Sequence, residues 1–243
     1  MTDQGREKFK IYKNVFDEFT IATLFKLSSQ DHFDELEIPI RIGKEANIFL
    51  ARKKEGDYVI VKIYRLASCN FNQMYSYIRS DPRFMDIKNR RRLVIFKWVQ
   101  REYRNLLMAR EKINVPTPIA FANNVLVMES IGGDSPAGQL KDKRPINPKE
   151  FSELVLKSIK DLASLGLVHG DLSEFNILNY NEKPYFIDFS QTTSIEDPNA
   201  FDYLKRDLEN IAKFFSKMKI EIDAGKQVSD IKKAYQKKQF RKN

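Results

Sequence analysis

Between Leu167 and Leu178 the chain reads LVHGDLSEFNIL, which sets a histidine, an aspartate and an asparagine among apolar residues. A carboxylate or an amide taken out of water without partners is costly, so a chain carrying this stretch must fold to give those groups either partners or a task. Asp171 and Asn176 stand five residues apart in what reads as a loop, and Asp188 follows twelve residues after Asn176, within the strand-like PYFIDFS. Transfer of a phosphoryl group needs a carboxylate to orient the accepting hydroxyl and oxygen ligands to hold Mg²⁺ on the phosphates. Asp171 suits the first task, Asn176 and Asp188 the second. Singly, the three read as a turn carboxylate, a turn amide and a strand-end cap; their combination at this spacing points to the chemistry.

Composition narrows the setting. The chain has 243 residues, 42% of them apolar, enough for one two-lobed unit or two small domains with a real core. It opens on the polar MTDQGREKFKIYKN and holds no apolar run of about 18 residues, so neither a signal peptide nor a membrane span is expected, and a cytoplasmic protein is. The lone Cys69 excludes internal disulfides and cysteine zinc sites. Net charge is +9, gathered in Arg79–Lys97 and Lys232–Asn243. Those segments read equally as sites for polyanions and as solvated, partly mobile stretches.

Residues 1–37 read as a helical extension, with Ile11, Val15, Phe19 and Leu24 at helical spacing. Residues 38–128 read as a β-rich lobe. Its strands are IPIRIG, NIFLAR and YVIVKIY, followed by a flexible loop at about 68–92, a helix from about Leu93 to Lys112, and two strands around Asn123-Asn124. Residues 129–225 read as a hinge and an α-rich lobe, and 226–243 as a basic tail. In the second lobe Asn147 caps a helix that has Pro148 in first position, Glu150 three residues after the cap and Gly166 at its end. Phe201, Leu204, Leu208, Ile211 and Phe215 form the core stripe of a terminal helix. Strands first and helices after predict an α+β fold with a ligand cleft between lobes.

Lys62 lies mid-strand among Val59, Val61 and Ile63, where a lysine usually faces solvent. In the helix IFKWVQREYRNLL, however, Glu102 shares the stripe of Ile95, Val99 and Leu106, and a carboxylate on a buried face calls for a cation. A Lys62–Glu102 pair that positions phosphates answers both anomalies. RIGKEANIF, with Gly43 its sole glycine, is no P-loop, but ahead of the lysine strand it could cover phosphates through backbone N–H groups and Lys44. His169 reads as a brace for the loop. Asp207 reads as half of a surface ion pair rather than as an inward carboxylate, and His32 has no role. Two histidines and one cysteine speak against a transition-metal site.

These residues resemble a protein kinase-like phosphotransferase. Two families share HGDL with an asparagine five residues after the aspartate: small-molecule kinases of the aminoglycoside and choline type, and the RIO family of atypical protein kinases. GKEANIF, VKIYR, WVQREYRNL, VPTPIAFANNVLVMESIG and LVHGDLSEFNIL with FIDFSQ, over about residues 38–215, resemble the first RIO subfamily in its archaeal form. Some forty residues precede Gly43, too few for the winged helix of the second subfamily.

The resemblance implies a truncated two-lobed kinase fold using ATP with Mg²⁺ or Mn²⁺. It makes Asp171 the catalytic base, Asn176 and Asp188 the metal ligands, and Lys62 with Glu102 the phosphate-positioning pair. Lys44, Glu45 and Ala46 become the nucleotide loop, and Met128–Ile131 the hinge, where the backbone of Glu129 and Ile131 meets adenine. It also implies serine/threonine autophosphorylation and a phosphoaspartate on Asp188 serving an ATPase. Its partners would be the proteins and rRNA of the pre-small ribosomal subunit. Ser68, Ser76 and Ser80, in the stretch expected to be flexible, are candidate acceptors by accessibility alone. The alternatives are a ribosome-binding nucleotide switch with little kinase turnover, and a small-molecule phosphotransferase. HGD stands where ordinary protein kinases have an arginine in the middle, and IDFS where they have a glycine after Asp-Phe. Only 55 residues follow Asp188, which leaves no room for an activation segment and a peptide-docking subdomain.

Overall fold

The computed structural model describes residues 16–79 and 90–240. They form two compact units, one of residues up to 104 together with 117–136, the other of 105–116 together with the residues from 137 onward. No helix among the described residues is long and apolar enough to cross a membrane.

The first unit begins at a cap. The Asp17 carboxylate accepts a hydrogen bond from the Thr20 N–H (2.8 Å) and starts helix α1, Glu18–Ser29. Leu24 and Leu27 on α1 bury against an antiparallel sheet made of β1 (Glu35–Ile42), β2 (Ala46–Arg52), β3 (Tyr58–Tyr64), β4 (Pro118–Ala122) and β5 (Val125–Glu129), in the order β1-β2-β3-β5-β4. Alternation along β3 and β5 turns Val59, Val61, Ile63, Val125 and Val127 into this core. Asn123 takes a left-handed φ of 49°, as expected of a turn asparagine. Asn124 does more: it is fully buried and donates to the Tyr64 carbonyl (2.8 Å) and the Thr20 hydroxyl (2.9 Å), joining turn, sheet and α1. Ile11 and Val15 lie outside the described residues.

Residues 71–79, expected within a flexible loop, form helix α2 (Phe71–Arg79). Asn70 accepts from the Gln73 N–H (3.3 Å) at its start, Met74 and Ile78 are buried one turn apart, and Tyr77 meets Trp98 edge-on. That pair of buried residues was too short a pattern to stand out among the charges around it. The remainder of the expected loop, with Ser80, lies outside the described residues apart from its two ends. Helix α3 (Arg91–Ala109) carries Glu102 and continues into the second unit at Asn105.

In the second unit α4 (Pro148–Ser164) is held at its start by reciprocal bonds, the Glu150 N–H to Asn147 Oδ1 and Asn147 Nδ2 to Glu150 Oε2, both 3.2 Å. It ends at Gly166, φ 83°. The short β6 (Leu167–Val168) pairs with β9 (Thr193–Ser194), and β7 (Ile177–Tyr180) forms a hairpin with β8 (Lys183–Phe186). Helix α5 (Ala200–Ser216) packs the stripe Leu204, Leu208, Ile211 and Phe215. The final segment, read from sequence as a basic tail, forms helix α6 (Ala224–Phe240). Asp223 caps it through the Lys226 N–H (2.8 Å), Ile231 is buried, and the Tyr235 hydroxyl donates to Glu196 (3.2 Å).

Candidate active site

The candidate residues divide between the units. In the first, Lys62 and Glu102 meet: Nζ donates to Oε1 at 2.8 Å, with the two side chains only 6% and 1% exposed. Lys62 therefore does not face solvent; both faces of β3 are covered. The other carboxylate oxygen accepts from the Tyr64 hydroxyl at 2.5 Å, and Lys62 Nζ stands 5.1 Å over the Tyr64 ring. Tyr64 was missed from sequence, although it sits two residues after Lys62 and so on the same face of the strand. A buried pair is stable only when its remaining hydrogen-bonding capacity is met, and Tyr64 meets part of it.

The turn Gly43–Ala46 joins β1 to β2. Gly43 donates to the Ala46 carbonyl (3.1 Å), and a Cβ there would stand 2.8 Å from that oxygen, so only glycine fits. The exposed Lys44 and Glu45 are tied through their carbonyls, Lys44 O to the Ser68 hydroxyl (2.6 Å) and Glu45 O to the Arg65 N–H (2.8 Å). Met128 is buried in β5 opposite Ile60. Glu129 bonds Thr117 twice, its N–H to the carbonyl (2.9 Å) and its Oε2 from the N–H (3.0 Å), and Ile131 is buried just beyond.

In the second unit the hairpin explains why residues twelve apart belong together. Asn181 and Glu182 both adopt left-handed φ (50° and 58°) and close the β7–β8 turn. Ile177 is thereby opposite Phe186, and the Ile187 N–H reaches the Asn176 carbonyl (3.0 Å). The hairpin went unread in NYNEKP, where an asparagine between apolar runs was the available signal. Asn176 Nδ2 donates to the backbone carbonyl of Asp171 (2.7 Å) and to its carboxylate (3.3 Å). Asn176 is buried, but Asp171 is exposed, so the apolar surroundings in the sequence do not enclose its carboxylate. Asp188 lies past the end of β8 at φ 63°, strained for a residue with a side chain, and accepts from the Ser190 hydroxyl at 2.7 Å. His169 is buried, its Nε2 donating to the Ile187 carbonyl (3.0 Å) and its ring against Phe189.

The buried carboxylate of this unit is Asp207, 1% exposed, which corrects the reading of a surface ion pair. Its two oxygens accept from the Gly170 and Leu172 N–H groups, 2.8 Å each, one on either side of Asp171. Burial pushes the carboxyl up to about 7, against the downward pull of those two bonds. Arg206 donates to the Gly170 carbonyl and Asn210 to that of Leu172 (3.1 Å), so helix α5 grips the loop at the two residues that flank Asp171. Asp207 lies three and four residues from Leu204 and Ile211, a spacing that marked it as inward.

Gly170 is the weak point of that grip. Its φ is +80°, and a Cβ would come 3.0 Å from the Gln191 carbonyl oxygen. Gly170→Ala should lower unfolding stability by about 1–2 kcal/mol and slow phosphate transfer more than it weakens nucleotide binding. Denaturant midpoints and transfer assays with labelled ATP measure the two effects.

A lysine on a five-stranded sheet paired with a glutamate on a helix, and two aspartates and an asparagine gathered about a hairpin in a helical unit, match what is expected of a kinase-like phosphotransferase. A sequence profile of the RIO domain matches residues 47–228. The chain is 40% identical over 219 residues to the RIO-type serine/threonine-protein kinase Rio1 of Haloferax volcanii, covering 89% of this chain and 76% of that one. To Rio1 of Methanocaldococcus jannaschii it is 42% identical over 217 residues, covering 88% and 74%. The solved Rio2 kinase–ADP/Mg²⁺–phosphoaspartate complex from Chaetomium thermophilum matches with a TM-score of 0.69 and 26% identity, over 88% of this chain and 65% of that one. The chain belongs to the RIO family of serine/threonine protein kinases, which decides between the two families that share HGDL.

Proposed function

We propose that the chain binds ATP with Mg²⁺ or Mn²⁺, phosphorylates serine or threonine, itself included, and hydrolyses ATP through a phosphoaspartate on Asp188. Its setting would be the cytoplasm and its task a nucleotide-driven step in maturation of the small ribosomal subunit. The observation that carries this reading is Asp188 itself: half-buried, held in a left-handed conformation and accepting from the Ser190 hydroxyl, in a chain that is similar to a Rio2 kinase solved as a phosphoaspartate complex. In this reading one Asp188 oxygen attacks the γ-phosphorus, ADP leaves, and water later cleaves the acyl phosphate to inorganic phosphate.

The donor set fits a hard cation. The Asn176 amide directs its hydrogens at Asp171, so its oxygen and the Asp188 carboxylate are the atoms that would hold Mg²⁺. The ion, when bound, supplies charge neutralisation on the phosphates. Lys62, set by Glu102, would bind phosphate oxygens, with Lys44, Glu45 and Ala46 over them. The Glu129 carbonyl and Ile131 N–H would meet adenine beside Met128. Asp171 would take the proton of an accepting hydroxyl. Ser68 and Ser76 are exposed candidates for that acceptor.

Acid-quenched labelling with and without purified small-subunit precursors tests this. An acyl phosphate is lost to hydroxylamine whereas phosphoserine survives, so wild type should show a hydroxylamine-labile signal of at most one per chain, absent in Asp188→Asn. Resistance of all incorporated phosphate, together with undiminished ATP turnover in Asp188→Asn, would overturn the phosphoaspartate.

A further inference from the structure

We infer that helix α6 presents a pre-ordered row of lysines that docks the phosphodiester backbone of RNA. The inference rests on the RNA partner proposed above and assigns it a surface. The helix carries five lysines and one acidic residue, Asp230. At 3.6 residues per turn, Lys233 and Lys237 lie within about 20° of Lys226 around the helix axis, while Ile231 and Tyr235 lie about 140° and 180° away. Ile231 is buried and Tyr235 is bonded to Glu196, so the helix is held by one face and the three lysines occupy the opposite, exposed one. None of the three makes an ion pair among the described residues. Lys232, whose Nζ stands 5.3 Å over the Phe201 ring, is on the flank and serves packing.

Helix stability does not account for the row. Lys226 sits in the first turn, which contains no acidic residue and where the positive end of the helix dipole opposes a cation. Lys233 and Lys237 do suit the C-terminal half, but a row that runs the length of the helix suits an extended polyanion. Rises of about 10 Å from Lys226 to Lys233 and about 6 Å from Lys233 to Lys237 follow from the helix geometry. A strand of RNA offers charges at comparable intervals, and a rigid row meets them without the ordering cost of a mobile tail. Asp230, exposed at about 40° from Lys226, is the one acidic residue within the helix and opposes binding, as does the capping Asp223 beside Lys226.

The full chain should bind a fluorescein-labelled single-stranded RNA with a log–log salt slope that drops by about two in the triple variant Lys226→Gln, Lys233→Gln, Lys237→Gln, at about 0.7 for each phosphate no longer neutralised. Affinity at about 0.1 M salt should fall on the order of a hundred-fold. Asp230→Asn should raise affinity, and the pair Lys205→Gln, Lys213→Gln on α5 should leave it unchanged. An unchanged slope in the triple variant, or an equal loss in the α5 pair, overturns the row while leaving RNA as a partner. No salt-dependent RNA binding by wild type overturns both, and ATP turnover, measured separately, reports on the kinase reading alone. A polyglutamate peptide that binds as tightly as RNA and with the same slope would show an acidic protein surface to be the partner instead.

Discussion

Asp171→Asn should lower phosphoryl transfer to a serine or threonine acceptor by roughly 10²–10⁴-fold, the usual contribution of a positioned general base. Nucleotide affinity should stay nearly unchanged. The substitution is close to isosteric, and the main bond that holds the loop here, Asn176 Nδ2 to the Asp171 backbone carbonyl at 2.7 Å, does not involve the side chain. The weaker bond to the carboxylate, 3.3 Å, can be kept by the amide oxygen. What disappears is the ability to accept a proton, so the loss belongs in the turnover number and not in the KM for ATP. Quench-flow with labelled ATP separates the two. A variant that transfers phosphate to a hydroxyl acceptor at the wild-type rate would remove Asp171 from the role of base. Because the proposed transfer to Asp188 involves no hydroxyl proton, the hydroxylamine-labile signal should survive in Asp171→Asn.

The second large effect is expected at Asp207. Removing its carboxylate with Asp207→Ala leaves two buried N–H groups, of Gly170 and Leu172, without their partner. At about 1–3 kcal/mol for each orphaned group, the loss of stability should reach about 2–6 kcal/mol, and phosphate transfer should fall with it as the residues around Asp171 loosen. Asp207→Asn keeps the shape but can accept only one of the two bonds, so it should be the milder variant in stability and still impaired in transfer.

The pH dependence has opposite signs for stability and activity. Burial raises the folded carboxyl to about 7 from 3.8, so between those values the folded chain holds the extra proton. The Asp207 contribution to stability is therefore fully present below the unfolded value, declines as pH rises through about 7, and is flat above. The ionised form, however, is the one that accepts both N–H bonds, so transfer should rise as pH passes through about 7. Asp207→Asn should flatten this part of the stability profile, as read by denaturant titration across the interval. Retention of the full wild-type slope in Asp207→Asn would assign the pH dependence to other groups.

Legibility followed the range of the interactions. Asn147, Pro148, Glu150 and Gly166 marked a helix by interactions within a few residues, and the structure has that helix with those caps. The pairing of Lys62 with Glu102 was readable across forty residues because two anomalies, a cation in an apolar strand and an acid on an apolar stripe, cancel each other. Tyr64 created no anomaly, since a tyrosine is at home in a strand, so nothing drew attention to it. The Asn181–Glu182 hairpin was passed over because its strands are four residues each, too short for alternation to show. Asp207 was misread because its charged neighbours in KRDLEN drew more weight than its spacing of three and four residues from Leu204 and Ile211.

The sequence by itself determined the chemical inventory: acid, amide and second acid at set intervals, a lysine strand and a glutamate helix, all specified by residue type and local spacing. Only the tertiary structure decided which carboxylate is buried and which is exposed, that both faces of the lysine strand are covered, and that the basic end of the chain is a docked helix. Burial is the reason. It depends on what distant segments pack against a residue, and the apolar neighbours of Asp171 in LVHGDLSEFNIL turned out to anchor the loop while its carboxylate stayed in water and Asp207 took the buried place beneath it.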